Sequence, residues 1–414
     1  MATTAPARLA IFRADAAPEI GAGHVMRTLA LAQALAQRGF RTVLAHRPRT
    51  VESVGADWFE GTELFELDIP ESAEAEILRG HRPDGCDLLV VDHYGRDAGF
   101  EAALRGWARR VAVFDDFIDR SHACDLLINT APDVSPENYA GRVPAKCAFL
   151  LGPDYAPLRP VFARRRQESL MRRTRTRTVR RVVVSLGATD PDNITELVLA
   201  SLARVAPGLA ADVVLGPAAP HRAAVRRRVE RSRGLLQLHD TGGEIAELLV
   251  SADLAVGAAG VGAWERCALA LPSPVIPTAD NQRAVATALE ASGAARVLAP
   301  PALTGATLDS ALRELIEDAD LRAAQARLGA ALIDGRGLAR CVQALDPEQT
   351  PDGASVRLRP AAPTDKAMLL DWQQDPQVRQ HFRDPRPPTL AEHETWFADR
   401  LDDPDCLFNI VLCD

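Results

Sequence analysis

The stretch Gly21-Ala22-Gly23-His24-Val25-Met26-Arg27 carries the residue types that bind an anion and move a proton. Two glycines permit a tight turn and let the backbone come close to a ligand. Free N–H groups at the start of the helix that follows attract a phosphate, and His24 places an imidazole there that exchanges protons near neutral pH. The pattern predicts a phosphate-binding turn with a general base. A glycine-rich turn with an incidental histidine fits the same residues.

A second group of candidate residues lies in the other half of the chain. The small residues of 257–262 let the backbone approach a diphosphate, and a helix that opens after Gly260 stabilises its charge. Glu265, in the first turns of that helix, is placed to accept hydrogen bonds from two ribose hydroxyls. Asn281 and Gln282 offer amides that both donate and accept hydrogen bonds, as a sugar with hydroxyl and acetamido groups requires. Tight helix–sheet packing and a helix N-cap explain these residues without a ligand.

The elements that must position these residues are short apolar runs separated by amphipathic segments. The first series consists of strands at 9–12, 42–45, 87–92, 111–115 and 125–129, with a helix at 28–35 after the first of them. A second series begins at Arg181, with strands at 182–187, 211–216, 254–257 and 274–277 and helices to about Ala344. Continuous apolar strands alternating with helices predict parallel sheets covered on both faces. We therefore expect an α/β protein with two Rossmann-like domains, over 1–162 and 181–346, and a cleft between them.

Arginine dominates the segment between these two series. Residues 163–180 contain the runs 164–166 and 172–173 together with Arg175 and Arg177. So much like charge predicts an exposed linker and helix edge, although a phosphate-binding role is conceivable.

Composition excludes several classes of function. The 414 residues carry a formal net charge of −8, which argues against a general nucleic-acid binder. Seven cysteines are scattered without a Cys-x-x-Cys pair, so we expect buried thiols in a reducing compartment and neither a metal nor a cofactor. No apolar run reaches the ~18 residues of a membrane span and the N-terminus lacks a signal-peptide core, which predicts a cytoplasmic protein with no membrane partner.

An ordered set of short motifs resembles a known enzyme family. The motifs are Gly-x-Gly-His-x-x-Arg, Val91-Asp92-His93-Tyr94, Phe114-Asp115-Asp116, Ser185-Leu186-Gly187-Ala188-Thr189-Asp190, Gly260 with Trp264-Glu265-Arg266, Asn281-Gln282 and Asp334-Gly335-Arg336-Gly337. Together they resemble the UDP-2,4-diacetamido-2,4,6-trideoxy-β-L-altropyranose hydrolases of pseudaminic acid biosynthesis, which are similar in fold to GT-B glycosyltransferases. The resemblance covers residues 8 to about 345. Ala188 and Val261 depart from the family, which usually has a second glycine and a hydroxyl residue there.

The resemblance implies hydrolysis of a UDP-sugar, with His24 as the catalytic base on water. The resemblance and the candidate residues described above together suggest a set of substrate-binding residues: Arg13, Asp15, Gly23, Arg27, Tyr94, Gly187, Gly260, Glu265, Asn281 and Gln282. Arg13 and Asp15 would orient His24 or hold the sugar, whereas His93 is expected to be structural. A glycosyltransferase with an acceptor alcohol and a non-catalytic sensor of nucleotide sugars remain alternatives.

The last part of the chain, 354–414, resembles the beginning of a GNAT acetyltransferase. The resemblance rests on Leu358-Arg359-Pro360-Ala361, on residues 372–379 and on His393-Glu394 with Trp396-Phe397. It shows no glycine turn of the kind that binds the acetyl-CoA pyrophosphate, so we expect an incomplete α/β domain that does not bind acetyl-CoA. Sugar-amine acetylation would then require a longer parent chain.

Overall fold

The computed structural model describes residues 8–17, 20–175, 177–240, 245–403, 406 and 408–413. The chain divides into two units, Met1–Leu345 and Asp346–Asp414. The first unit contains two parallel α/β sheets, in agreement with the two Rossmann-like domains predicted from the sequence.

The first sheet has seven parallel strands in the order β3-β2-β1-β4-β5-β6-β7. Its strands are β1 (Arg8–Ala14), β2 (Phe40–His46), β3 (Glu63–Glu66), β4 (Leu88–Asp92), β5 (Val111–Phe114), β6 (Leu126–Asn129) and β7 (Ala148–Leu151). The accompanying helices are α1 (Gly23–Gln37), α2 (Thr50–Val54), α3 (Glu74–His81) and α4 (Ala98–Ala103). Phe12 of β1 lies opposite Leu44 of β2 and Val90 of β4. All three side chains are buried, as expected for a parallel sheet that is covered on both faces. Helix α1 begins at Gly23, five residues earlier than the predicted helix.

Helix α5 (Pro160–Arg175) occupies most of the arginine-rich segment, so the segment is mainly a helix with one buried face and not the exposed linker and helix edge that the charge predicted. Phe162, Arg166 and Ser169 are buried. The Arg166 guanidinium donates to the main-chain oxygens of Ala268, Ala330 and Ile333, at 2.7, 2.7 and 2.9 Å. Carbonyls at helix ends lack partners within the helix and attract cations, so these main-chain oxygens stabilise the buried arginine. Thr176, within the predicted linker, lies outside the described residues.

The second sheet has six parallel strands in the order β10-β9-β8-β11-β12-β13. Its strands are β8 (Arg181–Ser185), β9 (Ala210–Val214), β10 (Leu236–His239), β11 (Leu254–Ala258), β12 (Pro274–Ile276) and β13 (Arg296–Val297). Its helices are α6 (Ile194–Val205), α7 (Arg222–Arg231), α8 (Ile245–Ser251), α9 (Val261–Ala268), α10 (Arg283–Ala291), α11 (Gly305–Glu317) and α12 (Ala319–Leu332).

The chain crosses between the two sheets twice. It first passes to the second sheet at the start of α5, and it returns before α13 (Gly337–Leu345). Leu338 and Cys341 of α13 belong to the core of the first sheet, so the predicted range 181–346 ends too late to describe the second one. The two crossings touch, since a Cβ added at Gly337 would lie 2.6 Å from the Ala156 nitrogen.

The second unit is an antiparallel sheet in the order β14-β15-β16 with three helices. Its elements are β14 (Glu348–Gln349), β15 (Ser355–Pro360), β16 (Asn409–Cys413), α14 (Lys366–Gln374), α15 (Pro376–Arg379) and α16 (Leu390–Asp402). Leu369, Phe397 and Ile410 form its small buried core. Residue 407, where the last predicted strand begins, lies outside the described residues. No helix of the described part of the chain is long and apolar enough to cross a membrane.

Candidate functional site

A cavity of about 320 Å³ lies where both sheets change direction. The strand order of the first sheet reverses between β1 and β4, and that of the second between β8 and β11. Parallel sheets bind ligands beyond the carboxyl ends of their strands at such points. Nine of the eleven predicted site residues line this cavity: Gly23, His24, Arg27, Tyr94, Gly187, Gly260, Glu265, Asn281 and Gln282.

Arg13 and Asp15 do not line the cavity, so their predicted contact with a sugar was wrong. Arg13 is fully buried and forms paired hydrogen bonds with Asp15, at 2.5 and 2.9 Å, and with Glu74, at 2.9 and 3.0 Å. Asp15 also accepts from the Arg47 main-chain N–H and pairs with Nε2 of His93 at 3.0 Å. Both charges are satisfied by neighbours within the first domain, and neither contacts His24. They hold the loops after β1 and β4 in place.

Asp92, the last residue of β4, orients His24. The Nδ1 atom of His24 lies 2.5 Å from Asp92 Oδ1. Burial opposes ionisation of Asp92, but the charges and hydrogen bonds of Arg27 and His24 outweigh it and lower its pKa. An ionised carboxylate only accepts hydrogen bonds, so it holds the proton on Nδ1. Nε2, which has no partner among the described residues, is then the basic atom on this cavity-lining ring.

Arg27 links two carboxylates at the cavity wall. It donates to Asp92 through Nε and Nη2, at 2.6 and 2.7 Å, and to Asp116 through Nη1 and Nη2, at 3.0 and 2.9 Å. Its guanidinium also lies 4.5 Å from the centre of the Phe114 ring. Four of its five N–H groups are therefore directed at the protein, and its main effect is to fix Asp92 behind His24.

Tyr94 connects the two sides of the cleft. Its hydroxyl donates to Asp116 Oδ2 at 3.0 Å and accepts from Nδ2 of Asn281 at 2.6 Å. Burial and the Asp116 charge raise the Tyr94 pKa, so the hydroxyl stays protonated. The ring also packs edge-on against His24, with 4.3 Å between the ring centres. Tyr94 and Asn281 therefore place polar groups from both domains next to the histidine.

Two helices begin at the cavity without a capping side chain. Helix α1 follows Gly21, whose φ of +75° favours glycine, and its N-cap Ala22 has no side-chain hydrogen-bonding group. Helix α9 starts after Gly260, again without a side-chain cap. The first N–H groups of an uncapped helix have no partner in the helix and favour an anion. The two helix starts come from opposite domains and line one cavity.

Gln282 holds the loop before α9 in place. Its Oε1 accepts from the main-chain N–H groups of Ala259, at 3.1 Å, and of Thr278, at 2.9 Å. A Cβ added at Gly260 would lie 3.6 Å from Gln282 Nε2, so the side chain packs directly below the helix start. The amide that sequence reasoning assigned to a sugar is used to shape the loop instead.

Glu265 lies on the second-domain side of the cavity. Burial raises its pKa, and the nearby cations of Arg159 and Arg266 act in the opposite direction. Arg159 approaches it to 3.9 Å and lies over the Trp58 ring, 4.9 Å from its centre. A carboxylate held in this way can accept two hydrogen bonds from a diol.

Sequence reasoning missed Asp92, Asp116 and Arg159 as site residues. Both aspartates belong to the motifs named above. Asp92 ends a buried strand and Asp116 follows another, a position from which parallel strands supply ligand-binding residues, so the sequence did contain a signal for them. Arg159 had none, because it lies in the first crossing between the sheets. Within the described ranges, no group of three histidine, cysteine or acidic residues is arranged to hold a metal ion.

Comparison with known proteins identifies similar sequences and a shared fold. No protein-family model matches the chain. It is 28% identical over 335 residues to the spore coat polysaccharide biosynthesis protein SpsG of Bacillus subtilis, covering 79% of this chain and 94% of that protein. It is 28% identical over 165 residues to the UDP-2,4-diacetamido-2,4,6-trideoxy-β-L-altropyranose hydrolase of Campylobacter jejuni, covering 38% of this chain and 55% of that protein.

Solved structures confirm the fold expected from the sequence. MurG of Acinetobacter baumannii superposes with a TM-score of 0.58 at 14% identity, over 82% of this chain and 99% of its own. The spinosyn forosaminyltransferase SpnP superposes with a TM-score of 0.53 at 16% identity, over 82% of this chain and 100% of its own. The first unit therefore has the GT-B arrangement of two Rossmann-like domains.

Proposed function

We propose that this chain is an enzyme of nucleotide-sugar metabolism that hydrolyses a UDP-linked sugar to UDP and the free sugar. The substrate we assign is UDP-2,4-diacetamido-2,4,6-trideoxy-β-L-altropyranose. The similarity to the Campylobacter jejuni hydrolase supports this choice, and the similarity to SpsG supports a role in polysaccharide biosynthesis.

The observation that carries the proposal is the His24–Asp92 pair. With its proton on Nδ1 beside Asp92, His24 presents Nε2 as the base. Nε2 takes a proton from water while the water oxygen forms a bond to the anomeric carbon. The bond from that carbon to the diphosphate oxygen breaks, and UDP leaves with the electron pair. Since the diphosphate is a good leaving group, the enzyme needs mainly a base, which contributes about 10²–10⁴-fold, and donors for the departing charge.

The remaining cavity residues divide between the parts of the substrate. The uncapped starts of α1 and α9 suit the diphosphate. Glu265 suits the ribose hydroxyls, and Tyr94 with Asn281, next to the histidine, suits the sugar. This division leaves the anomeric carbon on the His24 side of the phosphates.

The test is incubation of the chain with candidate UDP-sugars in water enriched in oxygen-18, with products followed by mass spectrometry. We expect UDP and free sugar in equal amounts, with the heavy oxygen in the sugar. His24→Ala should abolish turnover while UDP binding stays nearly unchanged, because the loss falls on the transition state. Heavy oxygen in the nucleotide would contradict attack at carbon. A variant that keeps more than about a tenth of the rate would show that His24 is not the base.

A second candidate is transfer of the sugar to an acceptor alcohol, which the GT-B fold favours. A transferase would orient the acceptor hydroxyl with the same histidine. The oxygen-18 experiment separates the two, since a transferase releases little UDP until an acceptor is added.

A further inference from the structure

Arg266 is a buried cation at the cavity, and none of the described carboxylates forms a direct ion pair with it. Its side chain is 3% exposed, yet it belongs to the cavity wall. Nε donates to Ser273 Oγ at 3.2 Å and Nη2 to the Ala258 oxygen at 2.7 Å. Nη1 has no hydrogen-bond or ion-pair partner among the described residues, and burial lowers the Arg266 pKa to about 10. Burying a charge in this way is costly unless something compensates it.

Two glycines make room for the guanidinium. A Cβ added at Gly257 would lie 2.7 Å from Arg266 Cζ, so a side chain at this position would displace the guanidinium. A Cβ at Gly262, in the first turn of α9, would lie 3.4 Å from Nη1. The unpartnered nitrogen therefore sits between the end of β11 and the start of α9, directly beside the uncapped helix start.

Two other arginines of this domain, one buried and one half-buried, are compensated differently. Arg166 donates to the oxygens of Ala268 and Ala330, at the carboxyl ends of α9 and α12. Arg173 donates to the Leu249 and Val250 oxygens at the end of α8. A helix carboxyl end carries partial negative charge and stabilises a cation. Arg266 lies beside a helix amino end, where the partial charge has the same sign as its own, and the one described carboxylate nearby, Glu265, acts on it without a direct ion pair.

We propose that Arg266 is a binding residue for the substrate diphosphate, to which it supplies a full positive charge and the Nη1 donor. This inference rests on the proposed function. The phosphates would satisfy both the helix start and the guanidinium, which accounts for the small residues around it. Arginine binds phosphate oxygens with short, charge-assisted hydrogen bonds.

The test compares UDP, uridine and inorganic pyrophosphate as ligands of the wild type, Arg266→Met and Arg266→Lys, by titration calorimetry. Loss of a charge-assisted hydrogen bond predicts that Arg266→Met binds UDP about 10- to 100-fold more weakly while uridine binding changes less than threefold. Arg266→Lys keeps the charge and should recover part of the loss. Arg166→Met is the matched control, because it removes a buried arginine of the same domain from helix carboxyl ends and should leave the preference for UDP over uridine unchanged.

The outcomes separate this inference from the proposed function. If Arg266→Met keeps the wild-type ratio of UDP to uridine affinity, the inference is wrong and the hydrolase proposal stands. If the wild type binds neither UDP nor pyrophosphate, the proposed function fails first. Should Arg266→Met not fold, Arg266→Lys decides: loss of the Nη1 donor predicts weaker UDP binding with uridine binding little changed, and an unchanged ratio of the two affinities would refute the inference.

Discussion

Asp92→Asn tests the chemistry of the site at a residue that does not itself react. The amide keeps the size of the carboxylate but can donate a hydrogen bond to Nδ1 of His24, which would move the imidazole proton to Nε2. The base would then be lost with the ring still in place. We expect kcat to fall about 10²–10⁴-fold, the usual contribution of a general base, with KM changed less than threefold.

The same substitution also affects stability, and the two effects need separating. Asp92 is almost fully buried and pairs with Arg27, which keeps Asp116 as its second partner. Breaking a buried ion pair costs about 3–5 kcal/mol, so the free energy of unfolding should fall by roughly the lower value. Asp212→Asn is a matched control, because Asp212 is buried and pairs with Arg181 and His239 at 2.8 Å each, away from the cavity.

The assay is UDP release at saturating substrate, measured beside urea unfolding of each variant. Asp212→Asn should lose stability and keep kcat within a few-fold. If Asp92→Asn retains more than a tenth of the wild-type kcat, or if both variants lose activity equally, the carboxylate does not set the proton on His24.

Three further predictions follow from other parts of the structure. Glu265→Ala should weaken UDP binding by about 1.5–3 kcal/mol through loss of a charged hydrogen bond to ribose, and unchanged affinity in calorimetry would assign Glu265 a structural role. His122 is buried, which lowers its pKa, but the carboxylates of Asp115, 3.8 Å from Nε2, and Glu101, 2.7 Å from Nδ1, raise it to about 9. The contribution of protonated His122 to stability is present below the unfolded pKa near 6.5 and is lost as the pH rises through about 9. The free energy of unfolding should therefore fall between these two pH values in the wild type, and fall less in His122→Gln. Equal pH dependence of the two proteins would refute this. Deleting residues 352–414 should leave hydrolysis within a few-fold, because the residues found to line the cavity all belong to the first unit, and loss of turnover in the truncated chain would contradict this.

The inner strands of both sheets could be predicted from the sequence, and the outer ones could not. The missed strands are β3, β7, β10 and β13, which are the edges of the two sheets. Inner parallel strands are buried on both faces and show continuous apolar runs. Edge strands are partly exposed, and β3 reads Glu-Leu-Phe-Glu without such a run. The exception is β7, which reads Ala-Phe-Leu-Leu and carried an apolar signal that the prediction from sequence did not use.

The loops of the candidate site could be predicted because glycine turns after apolar runs are local signals. The partners that complete the site are not local. Asp116 pairs with Arg27 across 89 residues, and Tyr94 meets Asn281 across 187 residues. The wrong assignments of Arg13 and of the arginine-rich segment have a common cause. Charge in a sequence favours exposure on average, but buried carboxylates satisfy Arg13 and helix-end carbonyls satisfy Arg166.

The paired crossings between the sheets have a mechanical consequence. A cut at one crossing leaves the halves of the first unit tied together by the other, so neither behaves as an excisable module. Because Gly337 packs against Ala156, the two connections share one pivot. Two adjacent connections limit relative motion of the halves most at that point and least on the far side of the cleft, so we expect a nucleotide to enter and leave from the far side.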